Sequence, residues 1–195
     1  MSIVLGTATL AERRADLTER LILDAAVKML EEATVGELTA RAVAKEAAIS
    51  ERTVFRYFAT RELFLDAVAG AVRAALAVPT PPASVKDLLA YPAKLYARFE
   101  EKERLTRAAL HTELFDRMRE TQAKERWMAV QRIIASHARR TTARDQRIAA
   151  ANIRYYLAAT TWHYYRFYFG FTLAESVACA ETAIRQSLSG LRNGK

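Results

Sequence analysis

The sequence has few of the residues that make turns and cross-links. Its 195 residues include six Gly, four Pro and one Cys. β-rich domains need many turns, so this scarcity favours long helices joined by few loops. The single Cys179 excludes an intramolecular disulfide and a multi-cysteine metal site, which fits a reducing cytoplasm. No uncharged apolar run approaches the ~18 residues of a membrane span, and the first residues lack a secretory pattern. We therefore expect a soluble, cytoplasmic, all-α protein.

The positive charge of the chain is unevenly distributed. The net charge is +8, yet residues 1–76 hold ten Lys and Arg against eleven Asp and Glu. The remaining residues therefore carry a net charge of +9. The stretch 117–154 is especially basic; a solvated surface is its simplest interpretation, and attraction of an anionic ligand such as a carboxylate is the alternative. Net charge by itself does not indicate the function.

Apolar residues at three- and four-residue spacing, with Ser or Thr caps at the helix starts, predict about nine helices. The expected caps are Thr9, Thr39, Ser50, Thr60, Ser84 and Thr172. The only dense Pro cluster is Pro79–Pro82, and we place a domain boundary there, between residues 1–78 and 79–195. In the second part the pattern predicts helices at about 103–120, 122–140 and 143–169, the last one ended by Gly170.

Two short helices at 39–47 and 50–58 carry the most informative chemistry. Helices of two turns are not stable alone, and a pair joined by a tight turn is typical of a helix-turn-helix. Val54 and Phe58 are expected to face inward, which leaves Arg52 and Arg56 on the outward face. Arginine forks suit guanine edges, and neighbouring hydroxyls suit phosphates. A solvated surface on a purely structural helix-turn-helix is the alternative.

Residues 38–64, preceded by one long helix, resemble the TetR family of bacterial transcriptional regulators. The resemblance covers about residues 14–76 and includes the helix-turn-helix, the aromatic pair Tyr57-Phe58 and the cap at 60–63, in order. It implies an all-α fold with a three-helix DNA-binding domain at 1–78 and a helical ligand-binding and dimerisation domain at 79–195. The chain departs from the family at Ala48, where Gly is usual, and in the negative charge of Glu51.

The resemblance also implies roles for individual residues. Arg41 matches a position that often reads a base, and Arg52 and Arg56 lie on the groove-facing side of the recognition helix. Other positions commonly touch the DNA backbone. The candidate DNA-binding residues are Thr39, Arg41, Ser50, Arg52, Thr53, Phe55, Arg56, Tyr57 and Arg61.

The second domain is expected to bind a small organic effector and to form a homodimer. Aromatic residues are dense between 155 and 171, and they suit either a buried core or the wall of a ligand pocket. The candidate ligand-binding residues are Phe99, His111, Phe115, Trp127, Tyr155 and Trp162. An apolar seam in the last helix is the candidate dimer interface, with burial inside the monomer as the alternative. Its residues are Leu173, Val177, Ala180, Ile184, Leu188 and Leu191.

The sequence gives little support for catalysis. The three histidines, His111, His137 and His163, lack metal-ligand spacing, and no glycine-rich loop is available for a phosphate. We expect no enzyme activity, no cofactor and no metal. The sequence favours a regulator, a repressor that a small ligand releases from an inverted-repeat DNA operator. The alternative is an all-helical ligand-binding or interaction protein, which the near-neutral first domain favours.

Overall fold

The computed structural model describes residues 9–32, 38–111 and 113–191, with the backbone alone for residues 119–123. These residues form ten α-helices and one π-helical turn, and no strand occurs among them. The all-α prediction is therefore confirmed. In chain order the elements are α1 (Leu10–Glu32), α2 (Ala40–Glu46), α3 (Glu51–Tyr57), α4 (Arg61–Leu76), α5 (Val85–Glu101), α6 (Glu103–Leu110), α7 (Leu114–His137), α8 (Ala143–Tyr156), α9 (Ala159–His163), the π-helical turn π1 (Tyr164–Tyr168) and α10 (Leu173–Gly190).

The helix starts follow the predicted capping residues. The Thr9 amide donates to Glu12 Oε2 at 2.7 Å, and the Glu12 amide donates to Thr9 Oγ1 at 3.3 Å. Thr172 makes the same reciprocal capping box with Glu175 at the start of α10. These contacts satisfy amide groups that have no partner within the helix. The remaining predicted caps, Thr39, Ser50, Thr60 and Ser84, each accept a hydrogen bond from the amide three residues later.

Two predicted helices have different bounds. The helix expected at 103–120 ends at Leu110, and α7 starts at Leu114 and continues to His137. No Gly or Pro marks either the observed break or the expected one near 121, so the sequence offered no local signal.

The helix expected at 143–169 divides after Tyr156. Side chains from elsewhere satisfy the carbonyls freed at this break: Thr161 Oγ1 donates to Tyr155 O at 2.6 Å, and Tyr96 Oη donates to Tyr156 O at 2.7 Å. Gly170, with φ of 70°, ends π1 in the left-handed conformation that the sequence predicts.

The chain divides into two compact units, Met1–Val72 and Arg73–Lys195. In the first unit α1 packs on α2, and α2 packs on α3. Its core is formed by side chains spaced along these helices and along α4, and it includes Ile22, Ala26, Val43, Val54, Leu65 and Val68. Because α2 and α3 are each two turns long, their stability depends on this shared core.

The second unit has its own core between α5, α7, α8 and α10. The buried side chains include Leu95, Tyr96, Ile134, Ile153 and Trp162. Four residues of the seam predicted as a dimer interface, Ala180, Ile184, Leu188 and Leu191, are at most 6% exposed in the single chain, as the alternative of burial inside the monomer expects. They are buried because α10 packs on α5 and α8 of the same chain. Leu173 and Val177 are half-buried at the edge of this core.

Candidate DNA-binding surface and ligand cavity

The turn between α2 and α3 is a Schellman motif. The Ile49 amide donates to Ala44 O at 3.0 Å, and the Ala48 amide donates to Lys45 O at 3.2 Å. Ala48 has φ of 54°, the left-handed conformation in which L side chains are strained. The position at which the family usually has Gly therefore has the backbone conformation that favours Gly. This turn fixes the direction in which α3 leaves α2.

Helix α3 presents one narrow face to the core and the rest of its surface to solvent. Val54 is 1% exposed, and Phe58, which follows one turn later, is 6% exposed. The Phe58 ring packs edge-on against Phe64 at the start of α4, with the ring centroids 5.6 Å apart. Arg52 and Arg56 are exposed, as expected for residues on the opposite face. The inward and outward assignments made from the helical spacing are therefore confirmed.

The hydroxyl groups among the candidates take part in local contacts. Ser50 caps α3 through the Thr53 amide, and its Oγ lies 2.8 Å from Thr53 Oγ1. Thr39 caps α2 in the same way. The guanidinium carbon of Arg56 lies 5.4 Å from the ring centroid of Tyr57. The structure thus brings Ser50 close to Thr53 and Arg56 close to Tyr57.

The other candidates lie on exposed positions. Arg41 is on α2, Arg61 is the first residue of α4, and both are exposed. Phe55 is 52% exposed, although a large apolar side chain is more stable when it is buried. The fold of the first unit therefore does not require an aromatic residue at position 55.

The second unit contains a cavity of about 520 Å³, within the range of small-molecule sites. Its walls come from Leu76 at the end of α4, from α5, α6, α7 and α8, and from the residues that begin α9. Four of the six predicted ligand residues line it: Phe99, Phe115, Trp127 and Tyr155. Tyr155 is 61% exposed, so the cavity reaches solvent at this side chain.

The other two predicted ligand residues, His111 and Trp162, are not among the residues that line this cavity. Trp162 is fully buried behind Phe99, with the ring centroids 5.7 Å apart, and its Nε1 donates to Glu100 at 3.1 Å. His111 follows the last residue of α6, is exposed, and packs against His163 with the ring centroids 5.1 Å apart. The sequence predicted helices that continue past Leu110 and Tyr156. Because the helices end at these residues, His111 and Trp162 lie at positions other than those expected.

Two arginines in the cavity wall were not among the ligand-binding residues predicted from the sequence. Arg126 on α7 and Arg154 on α8 both line the cavity, and Arg126 is only 8% exposed. Both belong to the basic stretch 117–154, for which a solvated surface was the simplest interpretation and attraction of an anionic ligand the alternative. The available signal was weak: Arg154 adjoins Tyr155 and Arg126 adjoins Trp127 in the sequence, but adjacent residues do not share a helix face.

Other kinds of site find no support in the part of the chain that the structure describes. There, no three His, Cys, Asp or Glu side chains are grouped so that they could hold a metal ion. Among the described helices, none is both long enough and apolar enough to cross a membrane.

The first unit has the architecture of a helix-turn-helix domain, with a capped, solvent-facing second helix. Residues 22–68 match the family model of bacterial regulatory proteins, tetR family. The matched segment runs from the middle of α1 through α2 and α3 into α4, and it supports DNA binding and transcription regulation as its function class. A comparison with curated proteins gave no match to the chain.

Proposed function

We propose that the chain is a sequence-specific transcriptional regulator in which α3 reads DNA. The observation that carries this proposal is the solvent-facing surface of α3 inside the matched segment 22–68, where Arg52, Phe55 and Arg56 are all exposed. Packing explains Val54 and Phe58 but not these three. An arginine fork on a helix that enters the major groove can donate two hydrogen bonds to guanine.

We further propose that the protein is a repressor, works as a homodimer in the cytoplasm and is released from DNA by a small ligand. Residues 1–78 would bind DNA, and residues 79–195 would bind the ligand and the second protomer. The cavity of about 520 Å³ supports the ligand-binding part, because it is enclosed largely by apolar and aromatic side chains. We propose no catalytic role, metal or cofactor.

Selection of bound sequences from a random DNA pool with the purified chain tests this function. We expect enrichment of an inverted repeat with half-site centres about 34–36 Å apart, because a two-fold dimer presents two recognition helices to successive major grooves. A triple variant, Arg52→Ala, Arg56→Ala and Phe55→Ala, is the control and should lose the enrichment. A folded wild-type protein that enriches no sequence would contradict the proposal and favour a purely structural helix-turn-helix.

A further inference from the structure

We propose that the cavity of the second unit binds an organic carboxylate with an apolar body, held by Arg126 and Arg154. This inference rests on the proposed function, since it names the chemical class of the effector. It assigns the carboxylate to the arginines and the aliphatic or aromatic body to the apolar walls.

The charge of the cavity wall is the first observation. Arg126 and Arg154 are the only residues with a full charge among the described lining residues, and none of those residues is acidic. Most of the other walls are apolar, including Leu110, Phe115 and Met118. A wall of this kind favours a ligand with one anionic end.

The burial of Arg126 is the second observation. It is 8% exposed, so water screens its positive charge less than it screens a surface arginine, and an anion in the cavity is attracted more strongly. Arg154 is half-buried, and its Nη1 donates to Leu157 O at 3.2 Å. This hydrogen bond holds the side chain at the end of α8.

The position of the two arginines on neighbouring helices is the third observation. Arg126 lies on α7 and Arg154 on α8, which packs against α7, and both residues line the same cavity. A carboxylate accepts several hydrogen bonds in the plane of a guanidinium fork, so two arginines in one cavity wall suit it.

Matched pairs of carboxylates and neutral amides test the proposal by calorimetric titration of the full chain. The probes are 2-naphthoate with 2-naphthamide and decanoate with decanamide, since each pair has the same apolar body. We expect at least one carboxylate to bind, with an affinity about tenfold or more above that of its amide, as charge-assisted hydrogen bonds imply.

Variants then show whether the two arginines are responsible. Arg126→Gln and Arg154→Gln should each weaken binding of the carboxylate by about tenfold or more and leave amide binding unchanged. Arg132→Gln on α7 and Arg147→Gln on α8 are matched controls; both residues are exposed and neither lines the cavity. If the buried Arg126 is needed for folding, as circular dichroism would show, Arg154→Gln decides the question.

Three results would overturn the inference: no carboxylate of the set binds, the amides bind as tightly, or the variants weaken both members of a pair equally. The proposed function is measured separately, by DNA binding of the same preparations. A chain that binds a DNA operator but no carboxylate would contradict this inference alone. A chain that binds a carboxylate but no DNA would contradict the proposed function and leave the ligand class standing.

Discussion

At the scale of single residues, Ala48 is a position at which the turn conformation and the residue type disagree. Its φ of 54° costs an L residue roughly 1–2 kcal/mol, whereas Gly adopts it freely. Gly loses part of that advantage because its unfolded chain is more flexible. We expect Ala48→Gly to raise the free energy of unfolding by about 0.5–1 kcal/mol in urea titrations.

The neighbouring alanine provides the control for this change. Ala47 has φ of −76°, where Gly relieves no strain. Ala47→Gly should therefore lower the free energy of unfolding by about 0.5–1 kcal/mol. If both variants change stability in the same direction, the strain at Ala48 is not what the backbone conformation implies.

The partly buried carboxylate of Glu100 makes stability depend on pH. Its carboxylate accepts hydrogen bonds from Arg166 Nε at 2.9 Å and from Trp162 Nε1 at 3.1 Å. The hydrogen bonds from Arg166 hold the pKa of Glu100 below its ordinary value, with a smaller contribution from Trp162, while burial acts in the opposite direction. A lowered pKa gives stability that is fully present above the ordinary glutamate pKa and is lost as the pH falls through the folded pKa.

We therefore expect Glu100→Gln to lower the free energy of unfolding at pH 7 by about 1–2 kcal/mol. The difference from the wild type should shrink as the pH falls below the ordinary glutamate pKa, because the unfolded chain then binds a proton that the folded carboxylate binds only at its lower pKa. Thermal unfolding over a pH series measures this. Glu125→Gln, at an exposed position on α7, is the control. A difference that stays constant across the series would contradict the assignment.

At the scale of helices, we expect the outward face of α3 to determine DNA sequence specificity and the start of α4 to contribute general DNA affinity. Arg52→Ala and Arg56→Ala should each cost roughly 1–3 kcal/mol at one base position of the selected operator. Arg61→Ala, at the start of α4, should weaken binding to all sequences and reduce the salt slope by about one. Binding titrations against single-base operator variants at several salt concentrations measure both effects. Arg144→Ala on α8, at an exposed position in the second unit, is the control. Equal effects of the Arg52, Arg56 and Arg61 variants on every DNA sequence would contradict these roles.

The helices that the sequence predicts well are those whose ends are determined locally. A Thr or Ser hydroxyl caps the next few amides, and Val54 and Phe58 recur at helical spacing, so neither inference needs the rest of the chain. The break after Tyr156 depends instead on Tyr96, which is 60 residues away in sequence. Helical spacing also identifies an apolar face without naming its partner, and for this reason contact with a second protomer and burial in the chain's own core both stayed open for α10.

At the scale of the whole molecule, a substitution on the buried face of α10 tests the stability of the second unit and not dimerisation. Ile184 is fully buried in the core of the second unit, so Ile184→Glu places a charge in an apolar core. We expect this variant to lose several kcal/mol of stability whether or not the protein is a dimer. Thr182→Glu, at an exposed position on the same helix, is the control and should unfold like the wild type. Denaturant titration measures both, and an Ile184→Glu variant as stable as the wild type would contradict the burial.

Dimerisation itself is tested by sedimentation of the wild type. We expect a dimer at micromolar concentration, alone and bound to the inverted repeat, because operator symmetry mirrors protein symmetry. A stable monomer that binds one half-site would contradict the proposed homodimer.

The proposed function requires that a ligand bound in the second unit changes DNA binding by the first. Helix α4 is unbroken from Arg61 to Leu76, and Leu76, which lines the cavity, has its carbonyl held by Arg98 Nε at 2.6 Å. We expect a ligand that fills the cavity to lower operator affinity by about 5–150-fold, a coupling of about 1–3 kcal/mol. Coupling between binding sites is reciprocal, so operator DNA must lower the affinity for the ligand by the same factor. Operator titrations with and without each compound that raises the melting temperature, and ligand titrations with and without operator, measure the two factors. Compounds that stabilise the protein and leave operator affinity unchanged would show that ligand binding in the cavity does not regulate DNA binding. The variant Arg154→Gln should abolish the effect of a carboxylate on operator affinity and leave DNA binding itself unchanged. That result would identify the cavity as the origin of the coupling.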